Sequence, residues 1–477
     1  MASAVPVREP VHGPGEAPPA EGSVEAPVTL DGPPVRVHRG RDHLGLWASL
    51  GVSLLVPVVA VYFVPTSLAA TFVAIGVGTL VGCGLLGAVA AIGARTGEPA
   101  MVVFRGLLGA RGSWVPTALN VLQCLGWACF EVWIIGRAAS GVWPQVPRWV
   151  FVVAAGVVAT AMALRPLGSA ALLRRAAVVV VVACSAYFLV DAARRPLGPV
   201  GAGGWRGLWT NVDLVASMSV SWIPLVADYT RHARRGTARG TGVAVGVGYG
   251  LASAAFFCVG ALGLLAYRPA DGDLVAALLA VPAGAVALAI LAADEVDQAF
   301  ANVYSTAVSL QNVAPRADRR LLALGVGAVA TALGVLVDDG YAYEGFLLLI
   351  GAVFTPLGAV LVVDHWVVRR GRYDLRAAAP ARPWLFVPWV AGFVAFELVT
   401  PTFVALWPAW GTAWGRAQAA LAIPADNGWS AVVAALVVAG ALTLAVAPLD
   451  RRHADRAARD APQVATPAAQ EAVSPGA

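Results

Sequence analysis

The chain has 477 residues, of which 58% are hydrophobic and only 13% charged, with a formal net charge of +5. Soluble domains carry about 25% charged residues, so this composition excludes a soluble globular protein and points to a polytopic membrane protein. The positive balance is not a nucleic-acid signature: every basic side chain is Arg, none is Lys, and most lie in short loops between apolar runs.

Residues 1–40 are rich in Pro, Gly, Ala and Glu and hold no apolar signal-peptide core, so a disordered cytoplasmic tail is expected there. Apolar runs long enough to span follow at 44–64, 68–93, 115–139, 147–164, 174–191, 208–228, 242–266, 275–311, 320–337, 343–368, 385–407 and 429–448. The run at 275–311 is too long for one simple span, and a loop near Pro282 is expected to interrupt it. Residues 449–477, which are rich in Ala, Arg and Asp, read as a second disordered cytoplasmic tail.

Arginines set the expected orientation. With both termini cytoplasmic, the cytoplasmic loops collect Arg95, Arg105, Arg111, Arg231, Arg234, Arg235, Arg239 and the run from Arg369 to Arg382. The opposite side keeps far fewer. Spans one to five (44–191) and six to ten (208–368) form two halves of opposite topology, because five is odd, with 385–448 as two further spans. Such an inverted repeat places a binding site where its first helices meet near the midplane.

The first span carries Gly51, Ser53 and Pro57, and the sixth carries Ser217, Met218, Ser219, Ser221, Trp222 and Pro224. Breakers in corresponding spans suggest backbone freed from the helical ladder, which survives in a bilayer only when buried in protein or lining a polar cavity. A plain proline kink fits the same residues. The expected unwound stretch is Ser217–Ser221, facing the middle of the first span.

In the third span Gln123, Trp127 and Glu131 are spaced i, i+4, i+8 and share a face. A flat ring could stack on Trp127 while Gln123 hydrogen-bonds its edge; packing of Trp127 against neighbouring helices is the alternative. Glu131 is an intramembrane acid and a functional candidate by default. The eighth span holds Asp294, Glu295, Asp297, Gln298 and Asn302. Carboxylates and oxygen donors at that depth suit a sodium ion or a relayed proton, or else line a water-exposed entrance. The five cysteines all fall in apolar runs without metal-ligand spacing, no His/Asp/Glu cluster has such spacing, and no phosphate-binding glycine loop is present, which argues against an enzyme or an ATP-driven pump. No filter-like repeat supports a channel.

The stretch Ser221-Trp222-Ile223-Pro224 through Asp228-Tyr229-Thr230-Arg231 resembles the signature of purine–cytosine permeases in the nucleobase–cation symporter-1 family. Gly97-Glu98-Pro99 with Arg105, Asn120 through Trp127, Asn302-Val303-Tyr304-Ser305, and Phe354-Thr355-Pro356 with Asp364 and Arg369-Arg370-Gly371-Arg372-Tyr373 agree with it, in order, over about residues 40–375. The resemblance implies an all-α, leucine-transporter-like fold: a 5+5 inverted repeat with broken helices one and six, plus two extra helices. It implies alternating access with cation-coupled uptake of a nucleobase such as cytosine or a purine, or of another small ring such as a hydroxymethylpyrimidine or hydantoin, or an amino acid. The implied substrate residues are Gln123, Trp127, Ser217, Met218, Ser219, Trp222 and Asn302, and the implied coupling residues are Gly51, Glu131, Asp294, Asp297 and Gln298. No cofactor is expected beyond a possible sodium ion. The expected partners are the flat ring, the coupling cation and membrane lipid, without nucleic acid. Sodium-coupled relatives place hydroxyl residues where this chain has Asp297 and Gln298, so the resemblance also leans toward proton coupling.

Overall fold

The computed structural model describes residues 25–30, 35–197, 204–268, 273–338, 343–404, 407–423 and 428–460; the tail expectations for 1–24 and 461–477 lie outside the described residues. Helices α1 (Gly40–Leu50) and α2 (Leu55–Val59), prolonged by a 3-10 turn, form a first span bent by 53°. α3 (Leu68–Thr96) follows, then a short α4 (Ala100–Leu108), α5 (Trp114–Val142), α6 (Arg148–Leu164) and α7 (Pro166–Arg194). The sixth span is broken into α8 (Leu208–Val220) and α9 (Val226–Thr230), and α10 (Ala238–Tyr267) is the seventh. The eighth run divides as its length requires: a separate α11 (Leu274–Leu279), a turn holding Pro282, then α12 (Gly284–Asp294) and α13 (Val296–Gln311). α14 (Arg319–Leu336), α15 (Tyr343–Val363) with a π turn over Asp364–Val368, α16 (Phe386–Val399), α17 (Pro408–Ala420) and α18 (Ala431–Asp460) complete the chain.

Three expectations are corrected. The eleventh span ends at Val399, not 407, and α17 is an additional helix. α18 continues through Pro448 to Asp460, into residues expected to be disordered; its Ala- and Arg-rich end favours helix intrinsically. Finally, residues 25–30 and 35–39 are held against the arginine-rich face. The Val28 carbonyl accepts from Gln311 Nε2 (2.7 Å) and from the Arg319 N–H (3.0 Å), and the Gly168 N–H donates to the Glu25 carboxylate (2.8 Å).

The core forms around α3, which packs against α8 and α10. That approach needs glycine. A Cβ on Gly87 would lie 2.7 Å from the Gly242 carbonyl, and one on Gly242 would lie 2.5 Å from the Gly87 carbonyl. Within a membrane, where no hydrophobic drive separates helix from lipid, such small-residue contacts are what allow helices to pack.

Buried polar contacts fix the spans' ends. Asp213 of α8 is fully buried and accepts from the N–H groups of Ala431 (2.8 Å) and Val432 (3.1 Å) and from the Ser430 hydroxyl, so it caps α18. Arg382 holds Asp364 with two hydrogen bonds (2.6 and 2.9 Å) in a buried pair that Tyr373 also joins.

Candidate functional site

Spans one and six break beside each other, and the residues responsible differ. In the first, Gly51–Leu54 leave the helical ladder, and groups from the α12–α13 junction satisfy the freed backbone. Gln298 Nε2 donates to the carbonyls of Leu50 (2.7 Å) and Val52 (2.9 Å), and the Leu54 N–H donates to Glu295 Oε2 (2.5 Å). Both acceptors being carbonyls fixes the amide's orientation. In the sixth span the break is Ser221–Leu225, after Val220 ends α8. Proline explains the position: Pro224 has no N–H, and its ring would clash with the Val220 carbonyl. That carbonyl instead accepts from the Ile223 N–H at 2.9 Å, in a tighter turn. The expected unwound stretch Ser217–Ser221 is therefore corrected by about one turn: Ser217 and Ser219 are helical, and only Ser221 belongs to the break.

The remaining signature residues hold the break in place. Trp222 Nε1 donates to the Tyr249 hydroxyl (3.0 Å), and its ring lies edge-on to Trp47, 5.3 Å between centroids. Asp228 accepts from the Ala100 N–H at 2.9 Å, capping α4. The Tyr229 hydroxyl donates to the Ala301 carbonyl (3.0 Å), and Arg231 reaches the Tyr304 hydroxyl (3.2 Å).

Between the two breaks lies a cavity lined by Ser53, Val56, Trp127, Glu131, Met218, Ser221, Trp222, Leu225, Tyr249, Gln298 and Asn302. Its volume is about 10 Å³, room for roughly one water molecule. A flat ring enters only if these walls part. Of the residues expected to hold substrate, Trp127, Met218, Trp222 and Asn302 line the cavity. Trp127 meets Tyr343 and Phe346 edge-on, at 5.8 and 5.4 Å, and its buried Nε1 has no partner.

Three of those residues do not line it. Ser217 points to α15, where a Cβ on Gly351 would lie 2.2 Å from its hydroxyl, and Ser219 pairs with Cys83 of α3 at 3.2 Å. A helical serine cannot share the cavity face with residues one or two positions away. Gln123 is engaged by the break itself: its Nε2 donates to the Ser221 carbonyl and to Asn120 Oδ1, each at 2.9 Å.

The residues expected to couple a cation separate into distinct places. Asp297 accepts from Ser49 of α1 (2.9 Å), leaving Oδ1 buried and unpartnered. Gly51 lies in the first break, where a Cβ would come within 2.7 Å of the Tyr249 carbonyl. Asp294 is turned away, lining a different, apolar groove between α1, α7 and α10, since successive residues of a helix point about 100° apart. Glu131 and Gln298 line the central cavity.

Glu295, counted among the acids of the eighth span but not among the expected coupling residues, is the acid that holds the first break. Its carboxyl accepts from Ser53 Oγ (2.7 Å) and the Leu54 N–H, and it lies within hydrogen-bond reach of the Glu131 carboxyl. Glu131 Oε2 is buried without a partner. The clue was present in the sequence, in that Glu295 is one of three acids within four residues. Its place on the helix face toward the first span is set by how the eighth span packs against it. Among the described residues no arginine forms an ion pair with Glu131, Asp294, Glu295 or Asp297.

The family of permeases for cytosine/purines, uracil, thiamine and allantoin matches residues 36–383. The chain is 24% identical over 344 residues, 67% of its own length and 74% of the relative's, to YxlA of Bacillus subtilis (strain 168), a candidate purine-cytosine permease. Its fold is shared with Mhp1, a nucleobase-cation-symport-1 family transporter solved closed with bromovinylhydantoin bound: TM-score 0.68, 18% identity, covering 92% of this chain and 96% of that one. The inward-facing form of Mhp1 gives a TM-score of 0.61 at 18% identity, covering 93% and 96% of the two chains. MhsT in complex with L-phenylalanine gives 0.53 at 14% identity, covering 87% and 99%. The chain belongs to this permease family, with the leucine-transporter-like, all-helical membrane fold, and it is a secondary transporter, not an enzyme.

Proposed function

We propose that this member of the cytosine/purine permease family carries a flat heterocycle bearing N–H or amino donors, a nucleobase such as cytosine, through the cytoplasmic membrane by alternating access. Both termini lie on the cytoplasmic side in this reading, as the arginine distribution supports. The observation that carries it is the composition of the cavity between the two broken spans. One aromatic wall (Trp127), one free acid oxygen (Glu131 Oε2) and one amide (Asn302) converge there. A ring seated on Trp127 would offer its amino group to the Glu131 oxygen and its other edge to Asn302, as carboxyls and amides read base edges elsewhere.

The coupling cation in this reading is a proton. The oxygens of the first break that a hard cation would need are taken by the Gln298 amide, which brings N–H donors where a sodium ion needs oxygen ligands. Neighbouring carboxyls cannot both ionise, so a proton held between Glu131 and Glu295 would supply an alternative, linking the cavity wall to the break at Ser53 and Leu54 through the bonds Glu295 accepts there. Entry of substrate and proton together would then bias the break in span one.

A second reading follows from the same acids: a cationic ring such as thiamine would be drawn to buried carboxyls that no arginine neutralises. Counterflow decides between them. Full-length protein in proteoliposomes loaded with unlabelled compound is given radiolabelled cytosine, uracil, allantoin or thiamine outside. Cytosine counterflow is the expected result; thiamine counterflow alone selects the second reading, and no counterflow with any of the four overturns both.

A further inference from the structure

Two glycines of α3 have no helix packed against them. A Cβ on Gly76 or Gly84 would meet nothing within 4 Å, whereas one on Gly82 would lie 2.7 Å from the Ala216 carbonyl. The bare positions open onto a groove of about 820 Å³ between α3 and α10. Val247 and Leu251 of α10 are exposed along it, as is Leu80 of α3. The groove follows α3 from Gly76 to Ala91, about 22 Å at 1.5 Å per residue. This is longer than the roughly 15 Å of hydrocarbon in one leaflet, so a chain from one leaflet can lie along it.

One end of the groove differs in character. Arg239 and Trp366 line it there, and the guanidinium of Arg95 stacks 5.4 Å over the Trp366 ring. Arg239 and Arg95 are both exposed. Two positive charges and an indole therefore close an otherwise apolar trough on the arginine-rich face. Basic pockets between membrane helices on that side suit anionic lipid headgroups, and tryptophan prefers headgroup depth.

We infer that this groove is a selective site for an anionic phospholipid of the leaflet on the arginine-rich side, with the phosphate at Arg239 and an acyl chain lying over Gly84 and Gly76. The chain fills the space the two glycines leave, and Arg239 selects the headgroup. A second copy of this protein is a poorer occupant. A two-fold contact in the membrane would bring the same depth of each copy together, setting the arginine-bearing ends side by side. The inference does not depend on which substrate is carried.

The test uses the full-length protein in detergent, with lipid binding read by native mass spectrometry and stability by thermal melting. The lipids are phosphatidylglycerol and phosphatidylcholine with identical chains. Phosphatidylglycerol should bind about fivefold more tightly for the contribution of one arginine and should raise the melting temperature more. Arg239→Gln should remove that preference while leaving chain binding. Gly84→Leu, which places a side chain in open space, should abolish bound lipid of both kinds without lowering the melting temperature in detergent alone. Millimolar inorganic phosphate should not compete. Equal binding of the two lipids by the wild type, a preference that survives Arg239→Gln, unchanged lipid binding in Gly84→Leu, displacement by phosphate alone, or a dimer that Gly84→Leu dissociates would each overturn the assignment.

Discussion

Gln298 is where the architecture can be tested most sharply. Its amide donates to two carbonyls, Leu50 and Val52, in the break of span one, and both residues are buried. Gln298→Leu keeps the volume and removes both donors. An interhelical hydrogen bond in a membrane protein often contributes only about 0.6 kcal/mol, because the groups find other partners. Here the acceptors are carbonyls already outside a helical ladder, so the larger penalty for buried unsatisfied groups applies, about 1–3 kcal/mol each and roughly 2–6 kcal/mol together. With an unfolding entropy of about 2.1 cal/mol/K per residue, each kcal/mol shifts the melting temperature by about 1 °C in a chain this long. The expected drop, followed by tryptophan fluorescence in detergent, is therefore about 2–6 °C. Gln298→Ser has a different expected outcome. It frees the same carbonyls beside the unpartnered Asp297 Oδ1, an all-oxygen set that suits a hard cation. Sodium should then raise the melting temperature of Gln298→Ser and leave the wild type unmoved. A Gln298→Leu protein that melts with the wild type would show that the amide does not hold the break, and the reasoning would fail.

Trp127→Ala should weaken cytosine binding by about five- to 150-fold, since base–aromatic stacking contributes roughly 1–3 kcal/mol, while Trp127→Phe should retain most of it; unchanged affinity in a folded Trp127→Ala protein removes Trp127 from the substrate. Glu131→Gln keeps the shape but not the proposed shared proton, so it should preserve cytosine exchange and lose accumulation driven by an imposed pH gradient; accumulation that persists, or wild-type accumulation driven by sodium alone, contradicts proton coupling at this pair. Asp213→Ala strips the cap from α18 and leaves the buried Ala431 and Val432 N–H groups unpaired, at a cost of about 2 kcal/mol or more, which should appear as a lower melting temperature. Gly87→Val should abolish monodisperse protein in size-exclusion chromatography, because α10 backbone occupies the space, whereas Gly84→Ala should elute as the wild type does.

The class of this protein and most of its span order were legible in the sequence, because each span must carry enough apolar residues to cross hydrocarbon whatever its neighbours are. The interruption near Pro282 and the breakers Gly51 and Pro224 were legible for an equally local reason, namely what proline and glycine do to a helix. The exact break in span six was not. Serines upstream of Pro224 looked like the freed backbone, yet proline disturbs the carbonyl four residues before it, Val220, and the chain unwinds from Ser221 onward. Facing was also beyond the sequence. Ser217, Ser219 and Gln123 are polar residues near the right depth, but helical rotation and the demands of the break direct them to α15, to Cys83 and to the Ser221 carbonyl. Glu295 shows the converse. A run of three acids in four residues says only that charge is buried; which acid lies toward Glu131, which meets Ser49 and which faces the outer groove depends on how the eighth span is rotated against its neighbours. Composition and periodicity fix what each segment must avoid, which is unsatisfied backbone in lipid. Only the packing of distant segments decides which partner satisfies it, because those partners lie more than two hundred residues away along the chain: Ser53 with Glu295, and Leu50 with Gln298.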